Sequence, residues 1–352
     1  MTATLVLKLL RDARMPLLVT ALTLAAFQCF WAKVVERIVG DLQPVFDLMA
    51  NTSGLSLSRV REEVLFQGPG RAIRSLIGGS NVDLDRAQDL LTIGFVHPLV
   101  IVIFCMWGVG RGAGALAGEL DRGTMELLLA QPIPRSSLLA AHLIVDAITI
   151  PILCLSLWAG NAIGVAWIGP RIQVNAIDVA KLEANGEGGL KKLTYLIETP
   201  TLQWGPFSTG PFRVSLEGPG LLAGGAAERG EGDRLKVDAW PFGRALGFVG
   251  GLIFAISGYT VWLSSMGRFR WRVLGFAVLA TLGMFLINLL GQMWDVLEPL
   301  RPWTVFYYYQ PQPAIQGQAA AWPMMAVLFG VGAAGYGLAL WTFTRRDLPA
   351  PL

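Results

Sequence analysis

Side chains able to move protons or hold a metal are few and scattered. The 352-residue chain has two histidines, His97 and His142, and three cysteines, Cys29, Cys105 and Cys154, each set in an apolar stretch. Neither histidine belongs to an H-E-x-x-H pattern, where two imidazoles on one helix face hold zinc beside a glutamate base. The G-x-S-x-G turn that presents a nucleophilic serine is missing. So is G-x-x-x-x-G-K-[ST], whose amides cradle a phosphate chain, and this excludes ATP hydrolysis by a phosphate loop. The cysteines read as small buried hydrophobes, not as a disulfide framework or zinc cluster.

Three groupings remain. His142 and Asp146 stand four apart, on one helix face. An ionisable pair inside a membrane helix is a functional suspect. Both nevertheless lie close to Arg135, where a solvated or capping role near the interface costs little, and that role is the preferred reading. Gly243, Gly247 and Gly251 recur every fourth residue and offer a smooth face for close helix packing, within the chain or across a dimer. Gly108, Gly110, Gly112, Gly114 and Gly118 read the same way, since they end an apolar run instead of following a strand. The third grouping is the segment from Gly118 to Arg135. It is acidic at its start, apolar from Met125 through Leu129, and stopped by Pro132 and Pro134. A short amphipathic helix of this kind fits a groove on another protein.

The elements that must position these residues lie in a membrane. Apolar residues make up 53% of the chain and charged residues 15%, with a mean hydropathy of +0.52; soluble domains carry roughly 25% charged residues. A net charge of +3 without a basic run argues against nucleic acid as a partner. Six regions are uncharged for about 18 residues or more, the length a span needs: Met15 to Ala32, Leu90 to Gly110, Ala147 to Pro170, Ala245 to Gly267, Val273 to Trp294 and Pro302 to Thr344. Only Ala321 to Phe343 of the last is expected to cross, because the stretch before it is polar and broken by prolines. Residues 295–320 should lie at the surface or re-enter. Tryptophans such as Trp31, Trp158, Trp240 and Trp322 fall near run boundaries, as headgroup-level anchors do. Pro98 and Pro151 read as kinks.

The expected fold class is therefore an all-α polytopic membrane protein with six transmembrane helices. Residues 1–14, with Leu5, Leu9 and Leu10 against Lys8, Arg11 and Arg14, should form a separate interfacial helix. Spans 1 to 3 then occupy 15–170, with an outer segment at 33–89 and a cytoplasmic loop at 111–138. An extracytoplasmic insertion follows at 171–243, spans 4 to 6 at 244–344, and a tail at 345–352. Period-two stretches in the insertion, Phe212 to Glu217 and Leu235 to Asp238, predict a small β-containing cap. Within 33–89, Glu63 to Pro69 matches the cleavage sequence of a picornaviral protease, native or engineered, and carries no functional inference. If the six spans are right, Lys8, Arg11, Arg14, Arg111, Arg122, Arg135, Arg268, Arg270, Arg272, Arg345 and Arg346 share one side, which makes both termini cytoplasmic at the inner membrane.

The loop Gly118-Glu119-Leu120-Asp121-Arg122-Gly123-Thr124-Met125-Glu126-Leu127-Leu128-Leu129-Ala130-Gln131-Pro132-Ile133-Pro134-Arg135 resembles the cytoplasmic loop of ABC-2 type transporter permeases. There an acidic residue, Gly-Thr, a leucine-rich turn and Pro-x-x-Arg occur together. The basic amphipathic start, Phe306-Tyr307-Tyr308-Tyr309-Gln310-Pro311 and Phe343-Thr344-Arg345-Arg346-Asp347-Leu348 are similar to the same family, although the segment from Arg171 to Arg244 is longer than expected there. The resemblance implies a permease subunit of an ABC exporter with no ATPase or cofactor of its own. It would pair with a second copy or a paralogue and be driven in trans by ATP-binding cassette subunits that hold ATP and Mg. It places the docking surface on Glu119, Asp121, Arg122, Gly123, Thr124, Met125, Glu126, Leu127, Leu128, Leu129, Pro132 and Arg135, with the Met125 to Leu129 turn inserting and the charged residues at its rim. Two alternatives are a structural or sensory subunit using the same dock without moving cargo, and a membrane-embedded enzyme. The enzyme reading lacks a site, since His97, Asn161, Asn288, Gln292 and Asp295 are spread over three spans.

Overall fold

The computed structural model describes residues 2–53, 87–125, 130, 134–167, 192–198, 202–204, 207–209, 213–219, 237–317 and 321–346. Among these are six helical spans long and apolar enough to cross a membrane: Ala3–Arg37, Ala87–Ala115, Arg135–Trp167, Trp240–Met266, Arg270–Leu290 and Trp322–Arg345. The chain is an all-α, multi-pass membrane protein with a small strand-bearing segment between its third and fourth spans. The elements are α1 (Thr2–Ser53), α2 (Ala87–Val96), α3 (Pro98–Ala115), α4 (Ala117–Asp121), α5 (Arg135–Trp167), α6 (Leu246–Met266), α7 (Arg270–Leu290), α8 (Pro311–Ile315) and α9 (Ala321–Arg345).

No break separates an interfacial helix from the first span. α1 is one helix of 52 residues, about 78 Å at 1.5 Å per residue. The reason is a continuous stripe: Leu5, Leu9, Ala13, Leu24, Gln28, Ala32 and Val35 are all buried, at spacings of three, four and eleven that carry the stripe slowly round the helix along its length. Its start packs with Leu116, Leu138 and Phe343, at what we call the near end of the bundle; its later turns join Leu90, Leu153 and Phe242 toward the far end.

The second span is two helices. Pro98 has no N–H to donate, His97 is extended (φ −59, ψ 132), and its Nδ1 accepts from the N–H of Leu99 at 3.2 Å. The carbonyl of Phe95, left open by this break, accepts instead from the hydroxyl of Tyr309 at 2.7 Å. Pro151, by contrast, lies inside an unbroken α5.

Tyr309 comes from the stretch between spans 5 and 6, which folds back onto the bundle as 3₁₀ turns Glu298–Trp303 and Val305–Tyr308 followed by α8. Val305, Phe306, Gln312 and Ile315 are buried there. Phe306 meets Phe285 edge-on at 5.4 Å, and Phe95 stacks with Phe242 at 5.7 Å. An aromatic wedge thus closes the far end.

Strands β1 (Lys192–Glu198) and β4 (Arg213–Pro219) pair antiparallel, with β2 (Leu202–Trp204) and β3 (Phe207–Thr209) as an inner hairpin. β4 contains Val214 and Leu216 of the first period-two stretch; Phe212 and Leu235 lie outside the described residues. Val237 and Asp238 form no strand; Asp238 instead makes a local turn contact just before the next element. Its carboxylate accepts from the N–H of Trp240 at 3.0 Å, a side-chain turn that leads into the 3₁₀ turn Trp240–Ala245.

Candidate functional site

At the near end the chain between the second and third spans is built onto the helices beneath it. α3 stops at Leu116 (φ −118, ψ −52). Ser264 of α6 fills the break: its Oγ accepts from the N–H of Leu116 at 3.1 Å and of Ala117 at 2.9 Å, and donates to the carbonyl of Ala113 at 3.3 Å. α4 then turns back through Gly123, whose φ of +69 suits glycine, and no described residue lies within 4 Å of where a Cβ would stand. The turn is held from inside, because Glu119 is buried and accepts from Arg122 at 2.6 Å and from the Thr124 hydroxyl.

This placement changes the reading of the loop. Asp121 and Arg122 are exposed, Arg122 with 61% of its side chain accessible. Met125, expected to insert into a partner, is 2% exposed and faces inward among Leu5, Leu9, Leu138 and Phe343. Glu119, expected at the rim, is spent on the turn. Arg135 points back into the chain: it donates to the carbonyls of Phe343 at 3.2 Å and Arg346 at 2.7 Å and lies over the Phe343 ring. Glu126, Leu127, Leu128, Leu129 and Pro132 lie outside the described residues.

Beneath the loop is a buried charge pair. Asp146 is 2% exposed, which overturns its solvated reading, and so is His142 buried, at 4%. The two share the face their spacing gives them, but Asp146 binds other partners. Oδ1 accepts from Arg111 Nη2 of α3 at 3.4 Å; Oδ2 accepts from Tyr336 of α9 at 2.7 Å and from Ser257 of α6. Four helices therefore meet on one carboxylate. The pair is neutral overall, and only a paired charge is tolerable at such depth. His142 Nε2 and Arg111 Nε are buried without a hydrogen-bond partner among the described residues.

The glycines divide. Gly247 and Gly251 abut Met325 and Leu328 of α9, and further along Gly258 meets the backbone of Gly332, where a Cβ would come within 2.7 Å of its Cα. Gly243 lies in the 3₁₀ turn, whose three-residue repeat rotates it off that face, and among the described residues only Trp158 comes within 4.0 Å. On α3, Gly108 and Gly112 lie against Ile256 and Thr260 of α6, whereas Gly110 has open space.

A family model described as ABC-2 family transporter protein matches residues 39–348, from within α1 to beyond α9. The chain belongs to the ABC-2 transporter family. It is a permease-type, multi-pass membrane protein of an ABC transporter. No curated protein matches the chain. The matched region contains the loop and all four helices around Asp146. It begins after the first span, so the near-end contacts of Leu5 and Leu9 fall outside it.

Sequence reasoning missed Ser257, Ser264, Tyr336 and the interior role of Arg111, which had been counted with the loop charges. A signal was available for two of them: Ser257, Thr260 and Ser264 recur at three and four residues along an otherwise apolar helix, and all are buried. Arg111 offered a weaker one, standing four residues short of the end of α3.

Proposed function

We propose that this ABC-2 protein is the permease subunit of an exporter, driven by separate ATP-binding subunits that dock on the loop from Gly118 to Arg135. It pairs with a second copy or a paralogue, so that the cargo path lies between protomers. ATP and Mg belong to the docked subunits, and the chain catalyses no reaction itself. Lys8, Arg11, Arg14, Arg122, Arg135, Arg268, Arg270, Arg272, Arg345 and Arg346 occupy the near-end segments, which favours that end as the cytoplasmic one at the inner membrane.

The observation that carries the reading is the mounting of the loop. Its entry is spliced to α6 through Ser264, its turn is closed by Glu119, and its exit is tied to α9 through Arg135, while Asp121 and Arg122 stay exposed. A lever must be stiff at its roots and free at its tip; a loop serving only to join two helices needs none of these ties. Force on the tip would pass to α3, α5, α6 and α9 together, and ATP does work only if the docked subunit binds two helix arrangements unequally.

Copurification tests this. The ATP-binding subunit should be recovered with the wild-type chain and lost on Leu128→Arg, which puts a charge in the apolar turn, with the variant still folded in detergent. An intact complex in Leu128→Arg removes the docking assignment.

A further inference from the structure

The Arg111 and Asp146 contact is incomplete in a specific way. A guanidinium and a carboxylate pair best through two parallel hydrogen bonds of about 2.7 to 2.9 Å. Here Arg111 uses Nη2 alone, at 3.4 Å, while its Nε is buried without a partner among the described residues. The other carboxylate oxygen is doubly held, by Tyr336 and Ser257. Asp146 is thus fixed to α5, α6 and α9, and the long contact is the one to α3. α3 is also the helix that leads into the loop; it packs on α6 with Gly108 and Gly112 against Ile256 and Thr260, and Ser264 of α6 holds its last turn through the Ala113 carbonyl at 3.3 Å.

We propose that Arg111 and Asp146 form a latch between the two helices flanking the loop, single-pronged in this arrangement and two-pronged when ATP-bound subunits are docked. This rests on the docking reading above. A shift of α3 by roughly 0.6 Å along the contact would bring Nη2 to the usual distance, and Nε, without a partner among the described residues, is the donor left for a second prong. The gain exists in one arrangement only, so it lowers the energy of that arrangement relative to the other; by linkage it must tighten binding of the subunit that favours it. Arg111 and Asp146 are positioning residues in this scheme and touch neither nucleotide nor cargo.

The test measures binding of the copurifying ATP-binding subunit to the chain in nanodiscs, once without nucleotide and once with ATP under non-hydrolysing conditions. Wild type should bind the ATP-loaded subunit more tightly. Arg111→Lys keeps the charge but has no second prong, so it should leave nucleotide-free binding unchanged and weaken ATP-loaded binding about tenfold, the effect of losing one charge-assisted hydrogen bond. The double variant Arg111→Gln with Asp146→Asn, which leaves no unpaired charge to unfold the bundle, should show the same selective loss. A residue that only holds the fold would weaken both binding states equally. Full nucleotide dependence in either folded variant, or its absence in wild type that does bind, overturns the latch. Wild type that binds the subunit in neither state overturns the docking reading instead.

Discussion

The two ends of the bundle are held by different physics. At the near end, Asp146, Arg111, Ser257, Tyr336, Ser264 and Arg135 make directional contacts among helices. At the far end, Phe95, Phe242, Phe285 and Phe306 pack ring on ring, with single hydrogen bonds from Tyr309 to Phe95, Trp31 to Leu90 and Trp158 to Ala239. Ring packing is insensitive to small rotations and favours one filled arrangement. A hydrogen-bond junction has discrete alternatives, because each donor either reaches its acceptor or does not. Under the proposed mechanism, discrete switching belongs beneath the loop and passive closure opposite it.

The strongest way to break this comparison is Asp146→Leu. It strands the Arg111 charge inside the bundle and should cost about 3–5 kcal/mol, read as a collapse of the thermal midpoint in detergent. Adding Arg111→Met should recover most of that loss; failure to recover would mean that Asp146 supports the fold through Ser257 and Tyr336 and not through charge pairing. A smaller effect is expected at the far end. Tyr309→Phe keeps the ring and leaves the Phe95 carbonyl unpaired, for a loss of about 1 kcal/mol by chemical denaturation, in line with hydrogen bonds measured in membrane helices. A loss as large as that of Asp146→Leu would show that the far end also depends on a directional contact. An effect of similar size belongs to Gly123→Ala: the positive φ is disfavoured for alanine by about 1–2 kcal/mol, and no described residue would touch the added Cβ. Stability should fall by no more than that strain, while a fall in subunit binding beyond it would sharpen the case that the turn sets the loop's shape.

Much of the fold was legible because crossing a bilayer needs long uncharged runs, and charge is easy to count. Boundaries were less so. The expected break near residue 14 failed because the charges at Lys8, Arg11 and Arg14 hid the stripe that Leu5, Leu9 and Ala13 share with the later turns of α1. The second span's break was visible at Pro98, but not that Tyr309, more than 200 residues away, would complete it. The loop was found from its residue pattern, yet Met125, Glu119 and Arg135 turned inward, since a local pattern says which side chains are apolar or charged and not which neighbour reaches them first.

Residue order alone settles the medium and the count: a chain this poor in charge, with runs of this length, must be a helical membrane protein, and its near-end arginines and missing phosphate loop follow from residue identity. What Asp146 does is visible only once the helices are packed. Its partners Arg111, Ser257 and Tyr336 lie 35, 111 and 190 positions away. Periodicity reports which face of a helix a residue occupies, but the energy of a buried charge depends on which other helix supplies the opposing charge and the donors, and packing alone settles that.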